Sequence, residues 1–360
     1  MAVISFARGA PALECLPTAE IADCARAAVE RDGATILSYG PSPGYAPLRE
    51  WIAERHGVEP ARVLLTNGSL QGFVFLAQLL APGKRVLVES PTYDRPLKIL
   101  RELGAEIVAL PMDDEGLEPD SLERSLDDGP AAFLYTIPTF QNPSGRTLSS
   151  DRRRRLAEIV ADRELLVLED DPYGLVRYEG EAPPSLFDLE GGQRVAYSSS
   201  FSKTIAPGLR VGYFVLPAEL ERQLEAAATS TYITPVLLSQ AAVYEFISRG
   251  RFEPNLERVR GLLGARRDAM LAALERELTG VATWSRPEGG YFLWLDLPDG
   301  VDAGELLARA EADGVTFVEG TDFGGPPSSA RLAFSFASPA EIDDGISRLA
   351  ALIPATAPSL

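Results

Sequence analysis

The chain has 360 residues, 46% of them apolar, enough for one large domain and a smaller one. Its formal charge of −18 disfavours a non-specific nucleic-acid binder, which needs a basic face. One histidine (His56) and two cysteines (Cys15, Cys24) argue against His/Cys zinc sites, histidine triads and disulfide scaffolds, so no metal is expected. All but three of the 34 basic residues are arginine, the lysines being Lys84, Lys98 and Lys203. Such a chain needs borrowed chemistry, and a lysine is one way to hold it.

From Met1 to Glu20 the chain is interrupted by Arg8, Pro11, Glu14 and Pro17 and lacks the pattern of a secretory signal. No uncharged apolar run reaches the length of about 18 residues that spans a bilayer. The expectation is a cytoplasmic protein with two ordinary thiols. Short runs rich in Val, Leu and Ile predict strands over 62–66, 85–89, 106–110, 131–137, 165–169, 194–198 and 211–216. Helical periodicity falls between them over 70–80, 95–103 and 150–163, the last opened by Ser149-Ser150-Asp151. This alternation predicts an α/β fold, a mostly parallel seven-stranded sheet flanked by helices. The arginine run 152–155 reads as a solvated helix face.

Beyond about residue 252 the pattern changes to a charged helix over 253–278, then a strand over 291–297 containing Trp294. A helix over 303–313, strands over 315–318 and 331–336 and a helix over 339–352 follow, reading as a smaller α+β domain. The expected division is an N-terminal arm with part of the small domain at 1–33, a large domain at 34–252, and a linking helix with the small domain at 253–360. The tail 354–360 is expected to fray.

Five segments carry groups suited to chemistry. Ser198-Ser199-Ser200-Phe201-Ser202-Lys203 follows a predicted strand and precedes Pro207-Gly208-Leu209-Arg210. A lysine there is placed to form a Schiff base, and the hydroxyls and Arg210 are suited to a phosphate. Glu169-Asp170-Asp171-Pro172-Tyr173 ends another strand, where a carboxylate can pair with a pyridine nitrogen and Tyr173 can donate to a ring oxygen. Thr66-Asn67-Gly68-Ser69-Leu70-Gln71-Gly72 joins a strand to an apolar helix and suits an anion, or is a plain helix start with Ser69 as its cap. Pro138-Thr139-Phe140-Gln141-Asn142-Pro143-Ser144-Gly145 presents the Asn142 amide at a sheet edge. Arg331 opens a late strand and can clamp a carboxylate. Alone, each reads as something plainer: a polar loop, a Pro/Gly turn, a capped helix start, a surface charge or, at the acidic strand end, a solvated or magnesium-binding turn. Together they supply a phosphate cradle, a ring-oxygen donor, an acid for a pyridine nitrogen and an imine lysine, which is what pyridoxal phosphate requires.

With Tyr39-Gly40-Pro41-Ser42-Pro43-Gly44-Tyr45 and Glu89-Ser90-Pro91-Thr92-Tyr93 added, the chain resembles the fold-type I, pyridoxal-phosphate-dependent class I/II aminotransferases over nearly its whole length. It looks most like the branch of 2-aminoadipate and kynurenine aminotransferases and of the aminotransferase-like domains of MocR regulators. The resemblance implies that Lys203 carries the Schiff base to pyridoxal 5'-phosphate and shuttles the proton. It implies that Asp170 pairs with the pyridine nitrogen, Asn142 and Tyr173 reach the ring hydroxyl, and Tyr93 stacks on the ring. Ser69, the Leu70 backbone N–H, Gln71, Ser200, Ser202 and Arg210 are implied to hold the phosphate. Tyr39 is implied to reach the phosphate of a neighbouring subunit, hence a homodimer with shared sites. Arg331, with Asn142 beside it, is implied to bind the substrate carboxylate.

Two positions depart from the pattern. Leu70 stands where the family often has Gln, and Arg8 where a small residue is common. Arg8 either reads an acidic substrate side chain or is a surface charge. The expected reaction moves an amino group between an amino acid and a 2-oxo acid. Elimination, replacement or cyclisation of an amino acid is the alternative the same apparatus supports. A regulator would carry a DNA-binding winged helix ahead of the arm, for which no room is expected. No nucleic-acid or membrane partner is expected.

Overall fold

The computed structural model describes residues 3–353, and the tail expected to fray lies outside them. After a short strand β1 (Ile4–Ser5) come β2 (Val63–Thr66), β3 (Arg85–Ser90), β4 (Glu106–Asp113), β5 (Gly116–Leu117), β6 (Phe133–Thr136), β7 (Val167–Asp170), β8 (Val195–Ser200) and β9 (Gly212–Val215). Strands β2 to β9 form one sheet in the order β2-β9-β8-β7-β6-β3-β4-β5. The pairs β4-β3, β3-β6, β6-β7 and β7-β8 are parallel, and β9 runs antiparallel to both its neighbours. All seven expected strands are present. The eighth, β5, returns on the end of β4 and is too short to carry any periodic signal.

Strands β2, β6, β8 and β9 are buried along their whole length, as expected of a sheet covered on both faces. Successive residues serve opposite cores. Leu65, Leu134 and Val167 pack on one side, and their neighbours Leu64, Phe133 and Leu168 on the other. The chain steps from β3 outward to β4 and later returns to lay β6 on the other side of β3. Loops leaving β3 and β6 therefore diverge, and a crevice opens at the carboxyl ends of the strands.

The second part contains β10 (Thr283–Trp284), β11 (Phe292–Asp296), β12 (Val315–Thr316), β13 (Val318–Glu319) and β14 (Ser329–Ala333). An antiparallel sheet runs β10-β11-β14-β13, while β12 pairs in parallel with β1. The single strand expected over 315–318 is thus two. The chain leaves β1 at buried Phe317 and joins β14, so one run serves two partners. Arg331 lies in the middle of β14, opposite Trp294, and does not open the strand.

One helix, Phe252–Leu278, ties the parts together. Phe252 and Leu256 pack in the large core, Val259 and Leu263 against Tyr173, Tyr291 and Phe292 beneath the crevice, and Met270, Leu274 and Leu278 in the small core. The first 33 residues serve both cores. Ile4 and Phe6 belong to the small one, whereas Cys24 and Ala28 of the helix Thr18–Ile36 belong to the large one.

The arginine run is not uniformly a solvated face. Arg152, Arg154 and Arg155 pair with surface acids, but Arg153 is 1% exposed. It donates to the carbonyls of Leu148 (2.9 Å) and Pro138 (2.7 Å) and to Thr139 Oγ1 (2.8 Å), bracing the turn that carries Asn142. Among the described residues no helix is long and apolar enough to cross a membrane.

Candidate active site

A cavity of about 410 Å³ fills the crevice. Ser69, Leu70, Tyr93, Asn142, Asp170, Tyr173, Ser200, Ser202, Lys203, Arg210 and Arg331 all line it. Residues spread over some 260 positions of sequence meet there because each leaves a strand end or faces one.

At one end stand Ser69, Ser200, Ser202 and Arg210. Gly68, with φ of 92°, holds the cap position before the helix Ser69–Leu80, so Ser69 is the first helical residue and not its cap. Its hydroxyl and the helix N-terminus face the cavity together, a setting suited to an anion. A Cβ on Gly68 would lie 2.0 Å from Arg210 Nη2, and one on Gly212 would lie 2.3 Å from the Ser69 nitrogen. Only glycine leaves this cradle open. Arg210 itself sits in the left-handed region (φ 53°), a conformation uncommon for a residue with a side chain. Its guanidinium donates to Ser202 Oγ (3.4 Å) and to the Asn67 carbonyl (3.3 Å).

In the middle, Lys203 Nζ donates to the Gly9 carbonyl at 2.7 Å and lies 4.8 Å from the Tyr291 ring centre. Enclosure, with help from the charges of Arg331 and Arg210, pushes its amine down to about 8. Asp170 lines the same cavity. Desolvation raises this carboxyl to about 6, against hydrogen bonds from Tyr135 Oη (3.0 Å) and Ser198 Oγ (3.1 Å) that lower it. The next residue, Asp171, lies on the opposite face of the sheet, bound by Tyr197 Oη (2.8 Å) and the Gly174 N–H (2.8 Å).

At the far end Arg331 is 8% exposed, its guanidinium 4.2 Å from the Phe292 ring centre and 4.7 Å from that of Phe323. Nη1 donates to Asn142 Oδ1 and Nη2 to the Ala7 carbonyl, each at 2.9 Å, while Nε is buried without a hydrogen-bond partner. Burial pulls its guanidinium down to about 10. Buried Glu89 fixes the two loops above it. It accepts from the Ile137 N–H (3.1 Å) and Gln141 Nε2 (3.1 Å), and Gln141 also donates to the Pro91 carbonyl (2.8 Å). Tyr93 and Asn142 are held in relation to each other through that bridge.

Three expected residues lie elsewhere. Gln71 turns its side chain back to accept from the Asn67 N–H (2.9 Å). Tyr39 is 82% exposed outside the cavity. Arg8 is exposed, with its guanidinium 4.3 Å from the Phe336 ring centre. His56 packs against Tyr197, and burial pushes it down to about 4. Sequence reading missed Tyr135, the carbonyls of Ala7 and Gly9, and Phe323. Ser198 stood inside a serine run that drew notice, whereas Tyr135 reads as one more apolar strand residue.

The residues fit pyridoxal phosphate. A glycine-lined, arginine-closed cradle suits the phosphate, a recessed acid suits the ring nitrogen, and an amine with lowered proton affinity suits the aldehyde. Fold and site together define a fold-type I, pyridoxal-phosphate-dependent enzyme. The chain belongs to the aminotransferase class I and II family, whose model matches residues 3–349. It is 39% identical to the 2-aminoadipate transaminase of Thermus thermophilus, covering 96% of this chain and 89% of the relative. It is 36% identical to aromatic-amino-acid aminotransferase 1 of Thermococcus litoralis, covering 98% and 88%. Among solved structures it is similar to the Pyrococcus horikoshii kynurenine aminotransferase, with a TM-score of 0.94, 35% identity and coverage of 98% and 91%. The chain is a pyridoxal-phosphate-dependent aminotransferase, and its substrates are an amino acid and a 2-oxo acid.

Proposed function

We propose that Lys203 is the group on which amino transfer turns, and one observation carries this: it is a lysine of lowered proton affinity in a cavity it shares with Asp170 and Arg331. When bound, pyridoxal phosphate supplies the carbonyl that takes the amino group and an electron sink for the bond broken at Cα. Ser69, the Leu70 N–H, Ser200, Ser202 and Arg210 would hold its phosphate, and Gln71 would act through the turn it braces. Tyr93 would cover its ring, Asn142 and Tyr173 would serve its ring hydroxyl, and Asp170 would hold the ring-nitrogen proton. Arg331 grips the substrate carboxylate and so presents Cα to Lys203. Lys203 Nζ would take the proton from Cα and later return it, acting as general base and general acid in turn.

The donors to try first are those named for the relatives, aromatic amino acids and 2-aminoadipate. Ala7, Pro96 and Phe292 give the cavity an apolar wall, and Arg95 stands at its edge. The test is incubation with each donor and 2-oxoglutarate. Glutamate formed with the matching 2-oxo acid supports transfer, whereas ammonia or a cyclic product without glutamate overturns it.

A homodimer in the cytoplasm completes the reading. Leu37, Tyr39, Ile233 and Val236 are large apolar groups more than half exposed. A second copy covering them would bring Tyr39 to its neighbour's phosphate end. Sedimentation of the protein and of Tyr39→Ala tests this, and a monomer that retains full activity sinks it.

A further inference from the structure

Asp170 does not meet the cavity alone. It ends β7, and hydroxyls reach it from the strands on either side: Tyr135 from β6 and Ser198 from β8. Each carboxylate oxygen accepts one of them, Oδ2 from Tyr135 at 3.0 Å and Oδ1 from Ser198 at 3.1 Å. A carboxylate oxygen has two acceptor directions, so this arrangement fills one direction on each and leaves the others open. Tyr135 is itself immobilised. It is 1% exposed, and its ring stands edge-on to Phe73 at 5.2 Å. Both rings line the cavity. A hydroxyl held this way has no other described partner.

We infer that Tyr135 is a positioning residue for Asp170: its hydroxyl locks the carboxylate's rotation and so decides which oxygen is presented to a cofactor's ring nitrogen. This rests on the reading of Asp170 given above. The bond acts in the ionised state, because a phenol donates to a carboxylate but loses most of that advantage once the acid is protonated. Tyr135 therefore favours the anion that a protonated pyridine needs opposite it. Opposing it are the apolar surroundings and the negative charges of Asp171 and Glu89. Tyr93 and Tyr173 also face this carboxyl, and Lys203 shares its cavity. Tyr135 is the one among these that touches Asp170 from a neighbouring strand with a rigid aromatic stem.

The test uses protein without cofactor, so that it stands apart from catalysis. Aspartate labelled with 13C at the carboxyl is titrated by NMR, and the Asp170 signal is the one absent from Asp170→Asn. In the wild type, where burial pushes the carboxyl up to about 6, it is expected to titrate near that value. In Tyr135→Phe it is expected to move up by roughly one pH unit, the size of one hydrogen bond to a charged group. On cofactor addition the same variant is expected to retain pyridoxal phosphate several-fold less well. An unmoved titration overturns the inference and leaves Tyr135 a packing residue. Should Tyr135→Phe not fold, the wild type decides: the Tyr135 13Cζ signal must inflect at the pH of Asp170, and a flat signal overturns the inference equally. Failure of pyridoxal phosphate to bind the wild type would strike the functional reading and leave the carboxyl titration untouched.

Discussion

Ser69, Ser200, Ser202 and Arg210 reach the cavity from the ends of β2, β8 and β9, three neighbours in one sheet. Arg331 comes from a different sheet and is held by Asn142 and Ala7, partners 189 and 324 residues away in sequence. The first end is set by strand register, which backbone hydrogen bonds fix before any ligand arrives. The second exists only when arm, large sheet and small sheet are docked. Register is stiff and docking is adjustable, so the cradle suits a cofactor that stays and the clamp suits substrates that come and go.

Lys203 stands between the ends, and removing it gives the largest effect. Lys203→Ala is expected to lose the visible absorbance of the lysine–cofactor linkage, and turnover should fall by at least about 10²–10⁴, the range for a lost acid–base group. Absorbance spectra and a coupled glutamate assay measure both. An unchanged spectrum with unchanged turnover would remove the common point from which the two ends are compared.

The ends themselves separate with one variant each. Arg331→Ala leaves Asn142 Oδ1 and the Ala7 carbonyl without their donor. Its kcat/KM is expected to drop by about 10² or more, as for lost charge-assisted bonds, with cofactor affinity nearly unchanged. Ser202→Ala is expected to do the reverse, weakening the cofactor's Kd about tenfold while sparing kcat/KM at saturating cofactor. Equilibrium dialysis and steady-state kinetics read the two quantities. If both variants moved both quantities alike, the ends would form one unit.

A smaller effect tests the electrostatics of the middle. Folded apoprotein sheds the Lys203 proton near 8, whereas the unfolded chain keeps it to about 10.5. Between those values the unfolded state binds more protons, so stability from this group rises with pH across the window. Denaturant midpoints of the wild type and of Lys203→Met should converge as pH climbs from 8 to 10.5, with the methionine variant the more stable at pH 8. Parallel midpoints would mean that the lysine is not enclosed in solution as it is here.

The same contrast governs how much the sequence reveals. The strand-end motifs were legible because local chemistry marks them: a glycine turn, a serine run, an acidic strand end. Ser69, Asp170, Tyr173, Ser200, Ser202 and Lys203 could be named from such marks, as could the α/β order of the sheet, whereas Tyr93 came only from the family resemblance. Tyr135, the Ala7 and Gly9 carbonyls and the buried Arg153 were not, because their roles come from neighbours that sequence does not place. A tyrosine in an apolar strand has the same periodicity whether its hydroxyl meets an acid or water. A carbonyl carries no signature at all. The break at Phe317 was hidden for the same reason: one β-branched run can serve two partners, and only the docked fold says so.

Arg8 gives the smallest and most discriminating case, since it lies on the arm between Ala7 and Gly9, both of which supply carbonyls to the site. If the far end is adjustable, a charge on that arm is the natural place to read a substrate side chain. Yet its guanidinium stacks on Phe336 at 4.3 Å, outside the cavity wall. An exposed stack of this kind contributes about 0.5–1 kcal/mol. Arg8→Ala is therefore expected to lower stability by that amount, with kcat/KM within about twofold for apolar and acidic donors alike. A selective loss with an acidic donor such as 2-aminoadipate would show that the arm turns Arg8 inward once substrate is bound. The adjustable end would then select substrates as well as grip them.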